Sequence, residues 1–155
     1  MERISFTVHL SILKPVEEVF DAVIQPDKLS GYFTASASGP MREGSTVKWR
    51  FPEFPEEFPV VIRRIVPNDL ITLEWESQEG GYNTTVTMKF EALDPNSTLV
   101  SISEEGWRPT EKGIRSSYSN CSGWMHMLCS LKAYLEYGIN LRKGSFLKPE
   151  IYMNP

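Results

Sequence analysis

The chain has little of several features that mark common classes of protein. No apolar run extends beyond a few residues, which excludes a transmembrane helix, because crossing a bilayer takes about 20 apolar residues. The first residues alternate between polar and apolar rather than forming a charged start and an apolar block, so we predict no signal peptide and a cytoplasmic protein. The formal net charge is −4 and the basic residues are scattered, which argues against a nucleic-acid-binding surface.

Metal ligands are equally scarce, since the chain has two cysteines and two histidines. Cys121 and Cys129 lie in a helical pattern, where about 12 Å of helix would separate them. That is too far for a disulfide, so we predict reduced, buried thiols. His9 falls on the polar face of a strand pattern and His126 on the outer side of a helix pattern. Both should be solvated, and we predict neither a metal site nor a cofactor.

Catalytic sequence motifs are also missing. The chain contains no Walker-type phosphate loop, no G-x-S-x-G turn and no H-E-x-x-H zinc motif. Its length of 155 residues corresponds most simply to one domain. We therefore predict a single domain over residues 1–155, with an irregular tail from about residue 140.

What the chain does have is a strong alternation of polar and apolar residues. Residues 4–12 alternate cleanly, which predicts a strand with one buried face. Pro15 suits the first turn of a helix, Pro26 ends that helix, and a second short helical turn follows. Five further alternating segments predict strands separated by turns, at residues 46–51, 60–66, 71–76, 84–90 and 98–104.

The last large element is a helix, predicted from about Lys112 to Tyr137 with Gly138 as its C-cap. Strands grouped together, with helices at both ends, indicate an α+β fold. One apolar face of an antiparallel sheet of about six or seven strands must then be covered by the helix. The predicted inner arc of the helix comprises Ile114, Ser117, Tyr118, Cys121, Trp124, Met125, Leu128, Leu131, Leu135 and Ile139.

The stretch FPEFPEEFP, from Phe51 to Pro59, interrupts this pattern. Its three prolines exclude a central strand, because proline cannot donate to the sheet ladder. The stretch separates two predicted strands of one sheet, which disfavours a linker between domains. Two interpretations remain: a proline-rich ligand peptide, or a hairpin loop that forms a lid or rim with phenylalanines turned onto the sheet. We favour the second.

Five segments, in this order and spacing, resemble a known superfamily. They are KPVEEVFDAVIQPDKLSGYF, EGSTVKWRF, VTMKFEAL, STLVSISEEGW and GWMHMLCSLKAYLEYG. They are similar to the helix-grip, START-like (SRPBCC) superfamily, and within it to the group named after the C-terminal domain of the activator of heat shock protein 90 ATPase. The resemblance implies a curved antiparallel sheet wrapped around the long C-terminal helix, with two short helices after the first strand. It further implies a hydrophobic small-molecule ligand or a chaperone partner, for a monomer or homodimer with no membrane insertion.

The candidate ligand-binding residues share inward-facing positions on the predicted strands and helix. In a solid domain such a set would be plain core. In a helix-grip fold the same side chains would line a hollow between sheet and helix, suited to a small lipidic or aromatic ligand. The residues are Trp49, Trp75, Met88, Glu104, Tyr118, Cys121, Trp124 and Met125.

Glu104 is the one candidate for catalysis, because alternation places it on the same face as Val100 and Ile102. A carboxyl group in an apolar pocket has a raised pKa and can act as an acid or base. That would suit an enzyme of the cyclase or dehydratase type known among START-like relatives. Alternatively, Glu104 is solvated at a strand end or paired with an arginine. Since inward apolar surface is plentiful and catalytic groups are few, we favour a non-enzymatic carrier of a hydrophobic molecule over an enzyme or a co-chaperone-like interaction module.

Overall fold

The computed structural model describes residues 3–153, and its centre is one seven-stranded antiparallel sheet. The strand order across the sheet is β1-β7-β6-β5-β4-β3-β2, so β3 to β7 form a meander and β1 joins at the far edge beside β7. The predicted α+β, helix-grip arrangement is confirmed. The elements along the chain are β1 Ile4–Ile12, α1 Val16–Ile24, α2 Pro26–Leu29, β2 Ser36–Ala37, β3 Thr46–Arg50, β4 Phe58–Val66, β5 Leu70–Glu76, β6 Asn83–Asp94, β7 Ser97–Trp107, α3 Glu111–Tyr137 and α4 Pro149–Met153.

Strict alternation on β6 and β7 builds the inner face of the sheet. Four residues of β6 are buried at every second position from Thr84 to Phe90. The same holds on β7 from Thr98 to Glu104, because the tight turn at Pro95-Asn96 sets the register of the two strands. The alternation therefore carries a carboxylate, Glu104, into a face that is otherwise apolar or hydroxyl-bearing.

Both ends of α3 are fixed by local chemistry. The side chain of Thr110 caps the first turn by accepting a hydrogen bond from the Gly113 backbone N–H at 3.0 Å. Gly113 is required there, since a Cβ atom would lie 2.0 Å from the carbonyl oxygen of Arg108. The helix ends at Gly138, whose φ of 68° is left-handed, as the sequence predicted.

The predicted inner arc of α3 is wrong along one edge. The helix packs mainly against β1 and β7 through the row that contains Trp124, Leu128 and Leu131. The arc deduced from apolar residues was broader than this contact face, so Tyr118 and Met125, seven residues apart at its edge, are 68% and 37% exposed. Ile114 and Ile139 are exposed as well, and the two cysteines are free but half-buried rather than buried.

The two histidines have different surroundings. His9 is exposed on β1, as predicted. His126 was predicted to be solvated but is half-buried, because the chain after α3 folds back and places Phe146 against it at 4.9 Å between ring centroids. Burial, together with the nearby Arg142 charge, lowers the pKa of His126.

Candidate functional site

A cavity of about 350 Å³ lies where β5, α3 and two connecting segments meet. The first segment, residues 51–57, joins β3 to β4 and is called the lid loop below. The second, residues 138–153, follows α3 and is called the C-terminal tail; it ends in the short helix α4, so the prediction of an irregular tail is wrong at Pro149–Met153. We call the cavity the aromatic pocket, after the seven aromatic side chains that line it: Phe33, Phe51, Phe54, Trp75, Tyr118, Trp124 and Phe146.

Two indole rings form the floor of the aromatic pocket. Trp75 on β5 and Trp124 on α3 stack with their centroids 5.3 Å apart and their planes 28° apart. The ring centroid of Phe33 lies 5.6 Å from that of Trp124, and Phe33 continues the apolar surface. Offset-stacked aromatic rings of this kind are favourable contacts with a defined geometry. The floor is therefore a rigid apolar platform.

Glu104 lies behind this floor and binds both indoles. Its side chain is fully buried. One oxygen, Oε1, accepts from the Trp124 Nε1–H at 2.8 Å, and the other, Oε2, accepts from the Trp75 Nε1–H at 2.9 Å. Thr84 donates to Oε2 at 2.6 Å, and the Asn120 amide donates to both oxygens at 3.1 Å. One carboxyl group thus joins β5, β6, β7 and α3.

These donors explain what Glu104 does for the pocket. Burial raises its pKa, and the hydrogen bonds from Thr84, Trp75, Trp124 and Asn120 oppose that rise. The two indoles and the amide N–H can only donate, so the carboxyl oxygens are their natural partners. Glu104 holds the N–H edges of both indoles, and both tryptophans line the aromatic pocket. The interpretation of Glu104 as solvated or paired with an arginine is wrong.

The lid loop forms one wall of the aromatic pocket. Phe51, Glu53 and Phe54 line the cavity, and Arg50 fixes the backbone of the loop by donating to the carbonyl oxygens of Phe51 and Phe54 at 3.4 and 3.1 Å. The phenylalanines turn inward, and the ring centroid of Phe51 lies 5.2 Å from that of Phe58.

Residues 51–57 of the proline-rich stretch form a hairpin loop at the rim of the pocket, the interpretation that its position between two strands favoured. The prediction that the prolines exclude a central strand is wrong at Pro59, because β4 begins at Phe58 and lies between β3 and β5. Pro59 is tolerated because β5 pairs with β4 only from Val61 onward.

The C-terminal tail supplies the opposite wall. The Arg142 guanidinium lies over the rings of Phe33, Phe51 and Phe146, 4.9 to 5.5 Å from their centroids. It also donates to Glu53 of the lid loop at 3.0 Å, in an ion pair whose side chains are only 11% and 8% exposed. The ion pair joins the tail to the lid loop across the cavity.

The structure separates the residues that the sequence had grouped as ligand-binding candidates. Trp75, Tyr118 and Trp124 line the aromatic pocket, whereas Trp49 and Met88 belong to the solid core. Glu104 lies behind the indoles. Cys121 and Met125 are on α3 away from the lining.

Several lining residues were not among the predicted site residues, including Phe33, Asn120, Gly123, Arg142 and Phe146. Asn120 precedes Trp124 by one helical turn, a spacing that could have placed both beside Glu104. Arg142 and Phe146 belong to a tail without periodicity, so no pattern predicts their position. Phe33 follows a short helix, where periodicity is equally uninformative.

The described part of the chain has neither a metal-ligand cluster nor a membrane-spanning helix. Among residues 3–153, no cluster of histidine, cysteine, aspartate or glutamate could hold a metal ion. Over the same range, no helix combines the length and apolar character needed to cross a membrane.

Taken together, the antiparallel sheet and the long C-terminal helix packed against it define a helix-grip, START-like domain. The family model "Activator of Hsp90 ATPase homolog 1-like protein" matches residues 14–136, most of the chain. The chain belongs to this family, which confirms the resemblance found in the sequence.

Solved structures show the same architecture. Protein SSP2350 from Staphylococcus saprophyticus is 27% identical, with a TM-score of 0.77 over 90% of this chain and 96% of that one. DynU16, a protein in the dynemicin biosynthetic locus, is 23% identical, with a TM-score of 0.74 over 88% of this chain but 48% of DynU16. The Aha1 dimer from Colwellia psychrerythraea is 23% identical, with a TM-score of 0.70 over 87% of this chain and 98% of that one. None of the curated proteins matches the chain significantly.

Proposed function

We propose that this protein binds a small, largely aromatic molecule in the aromatic pocket. The observation that carries the proposal is a cavity of about 350 Å³ whose floor is two stacked indoles held from behind by a buried carboxyl group. Ligand sites for small molecules are concave, mostly apolar and largely preformed, and they begin at about 300 Å³. The size and lining of the aromatic pocket match that description.

Preorganisation favours binding in this pocket. Trp75 and Trp124 are held by stacking and by Glu104 before any ligand arrives, so little side-chain freedom is lost on association. A two-ring ligand that buries about 200 Å² of apolar surface would gain about 5 kcal/mol from the hydrophobic effect. After the cost of association, that gain corresponds to weak to moderate affinity for a fragment and higher affinity for a ligand that fills the cavity.

Binding is better supported than catalysis by Glu104. Both of its oxygens are occupied by donors at 2.6–3.1 Å, and the fully buried Glu104 is not among the described residues that line the cavity. A general acid or base must be within hydrogen-bond reach of the substrate atom it serves. Glu104 therefore acts as a positioning residue for the binding surface.

A thermal titration with 2-acetylnaphthalene tests the proposal. At ten times the dissociation constant, mass action should stabilise the folded protein by about 1.4 kcal/mol. For a chain of this size we expect the melting temperature to rise by about 3–6 °C. A naphthalene disulfonate serves as the control, because its charges should keep it out of an apolar cavity. A melting temperature that does not depend on the concentration of 2-acetylnaphthalene would exclude the proposed function.

A further inference from the structure

Arg142 has more hydrogen-bond donors than the structure uses. Arginine presents five N–H groups. The structure gives the side chain one hydrogen bond, from a terminal nitrogen to Glu53 at 3.0 Å. The Nε atom is buried, and within the described residues it has no hydrogen-bond partner. A buried donor without a partner is costly, and such groups are rare in folded proteins.

The guanidinium is also fixed in the wall of the aromatic pocket. It lies 4.9 Å from the ring centroids of Phe51 and Phe146 and 5.5 Å from that of Phe33, and all three rings line the cavity. Its side chain is only 11% exposed, so it does not reach out into water. Within the described residues, three N–H groups of its two terminal nitrogens are also unused. A partner for these groups would come from a molecule inside the pocket, whereas the buried Nε is out of its reach.

The charges around the pocket indicate whether the hydrogen-bond acceptor of the ligand is charged or neutral. Among the described residues that line it, Glu53 and Arg142 are the only charged ones, and they neutralise each other. The buried carboxyl group of Glu104, which binds the two indoles, supplies no positive charge either. An anionic ligand would lose its hydration without an uncompensated cation to receive it, whereas a carbonyl oxygen needs only a donor.

We propose that Arg142 is a specificity-determining donor, and that the ligand is an uncharged aromatic molecule with a carbonyl oxygen on the edge that meets Arg142. This inference rests on the proposed function and narrows its ligand class. The aromatic body occupies the indole floor, and the oxygen accepts from the guanidinium while Glu53 keeps its ion pair. The predicted class comprises aromatic ketones and related neutral carbonyl compounds rather than aromatic acids or pure hydrocarbons.

Three probes of nearly equal shape test the inference by equilibrium titration. They are 2-acetylnaphthalene with a carbonyl, 2-isopropylnaphthalene without an acceptor, and 2-naphthoate with a negative charge. Arg142→Lys keeps a cation for Glu53 but removes the planar fork of terminal N–H donors. We expect it to weaken 2-acetylnaphthalene binding by about tenfold, the usual effect of losing a hydrogen bond to a charged group. The affinity for 2-isopropylnaphthalene should change by no more than about twofold, because this probe has no acceptor and loses no hydrogen bond when Arg142 is replaced.

Glu53→Gln gives a second, independent test. The amide oxygen still accepts from Arg142, but the compensating negative charge is gone, so the affinity for 2-naphthoate should rise by about tenfold or more relative to 2-acetylnaphthalene. Lys143→Gln is the matched control, because this exposed neighbour in the tail lies outside the lining of the aromatic pocket. It should leave all three affinities unchanged.

The outcomes separate this inference from the proposed function. If Arg142→Lys weakens all three probes equally, Arg142 contributes packing alone and the inference is wrong, while aromatic binding stands. The inference is also wrong if wild-type protein prefers 2-naphthoate. If no probe binds the wild-type protein, the proposed function itself fails and the inference fails with it.

Discussion

Gly123→Phe should abolish binding of aromatic probes while leaving the protein at least as stable as wild type. Gly123 lies in the middle of α3 and lines the aromatic pocket, and a Cβ atom built on it meets nothing within 4 Å. A phenyl group at this position would enter the cavity and occupy the space of a ligand. Glycine in a helix interior costs about 1 kcal/mol relative to alanine, so its replacement removes a destabilising residue.

We expect the affinity for 2-acetylnaphthalene to fall by about 100-fold or more, since losing most of a ligand's apolar burial costs several kcal/mol. Calorimetric titration and thermal melting measure the two effects separately. Gly123→Ala is the size control and should gain stability but keep binding. Gly113→Ala should instead destabilise the protein, because its Cβ would meet the Arg108 carbonyl oxygen at 2.0 Å. Full probe binding by Gly123→Phe would place the binding site elsewhere.

Glu104→Gln should lower the stability of the protein and weaken binding together. The amide keeps one acceptor oxygen but turns an N–H group toward donors that already point inward from Trp75, Thr84, Asn120 and Trp124. Leaving buried donors unsatisfied costs about 1–3 kcal/mol, and we expect a loss near the upper end because four groups are affected. The melting temperature should fall by about 5–10 °C.

The neighbouring carboxyl group supplies the control for this prediction. Glu105 is exposed on the same strand, so Glu105→Gln should leave the melting temperature almost unchanged. The affinity of Glu104→Gln for 2-acetylnaphthalene should fall because its indoles are less firmly held. If Glu104→Gln melted like Glu105→Gln, the hydrogen bonds to Glu104 would not be the support of the pocket floor.

The pH dependence of the Glu104→Gln effect has a defined sign. Burial raises the pKa of Glu104 above its usual 4.5 in the folded protein. The folded state then binds the proton more tightly than the unfolded state, and this contribution to stability is lost as pH rises through the folded pKa. The stability gap between wild type and Glu104→Gln should therefore be largest below pH 4.5 and narrow as pH rises through the folded pKa. A gap that widens with pH would mean that the hydrogen bonds outweigh burial.

Local sequence patterns predicted the fold because they act within a few residues. The alternation on β7 placed Glu104 on the inner face, and the structure shows it fully buried there. Gly138 marked the end of α3 because only a left-handed residue suits that position without strain. The order of strands in a meander follows from short connections, which bring consecutive strands side by side.

The site was predicted less completely because it depends on contacts distant in sequence. The partners of Glu104 come from β5, β6 and α3, and no single pattern shows that their donors converge on one carboxyl group. Arg142 is brought to Glu53 by a tail without periodicity. The face of α3 was misjudged because Tyr118 and Met125 are apolar yet exposed.

The most direct test is an NMR titration that follows the four tryptophan indole N–H signals of the wild-type protein as 2-acetylnaphthalene is added. Trp75 and Trp124 line the aromatic pocket, whereas Trp107 stacks on Phe6 outside its lining. We predict saturable shifts of the Trp75 and Trp124 signals and an unmoved Trp107 signal. If the Trp75 and Trp124 signals stayed in place, or if Trp107 shifted as much as they did, the protein would not bind aromatic molecules in this pocket.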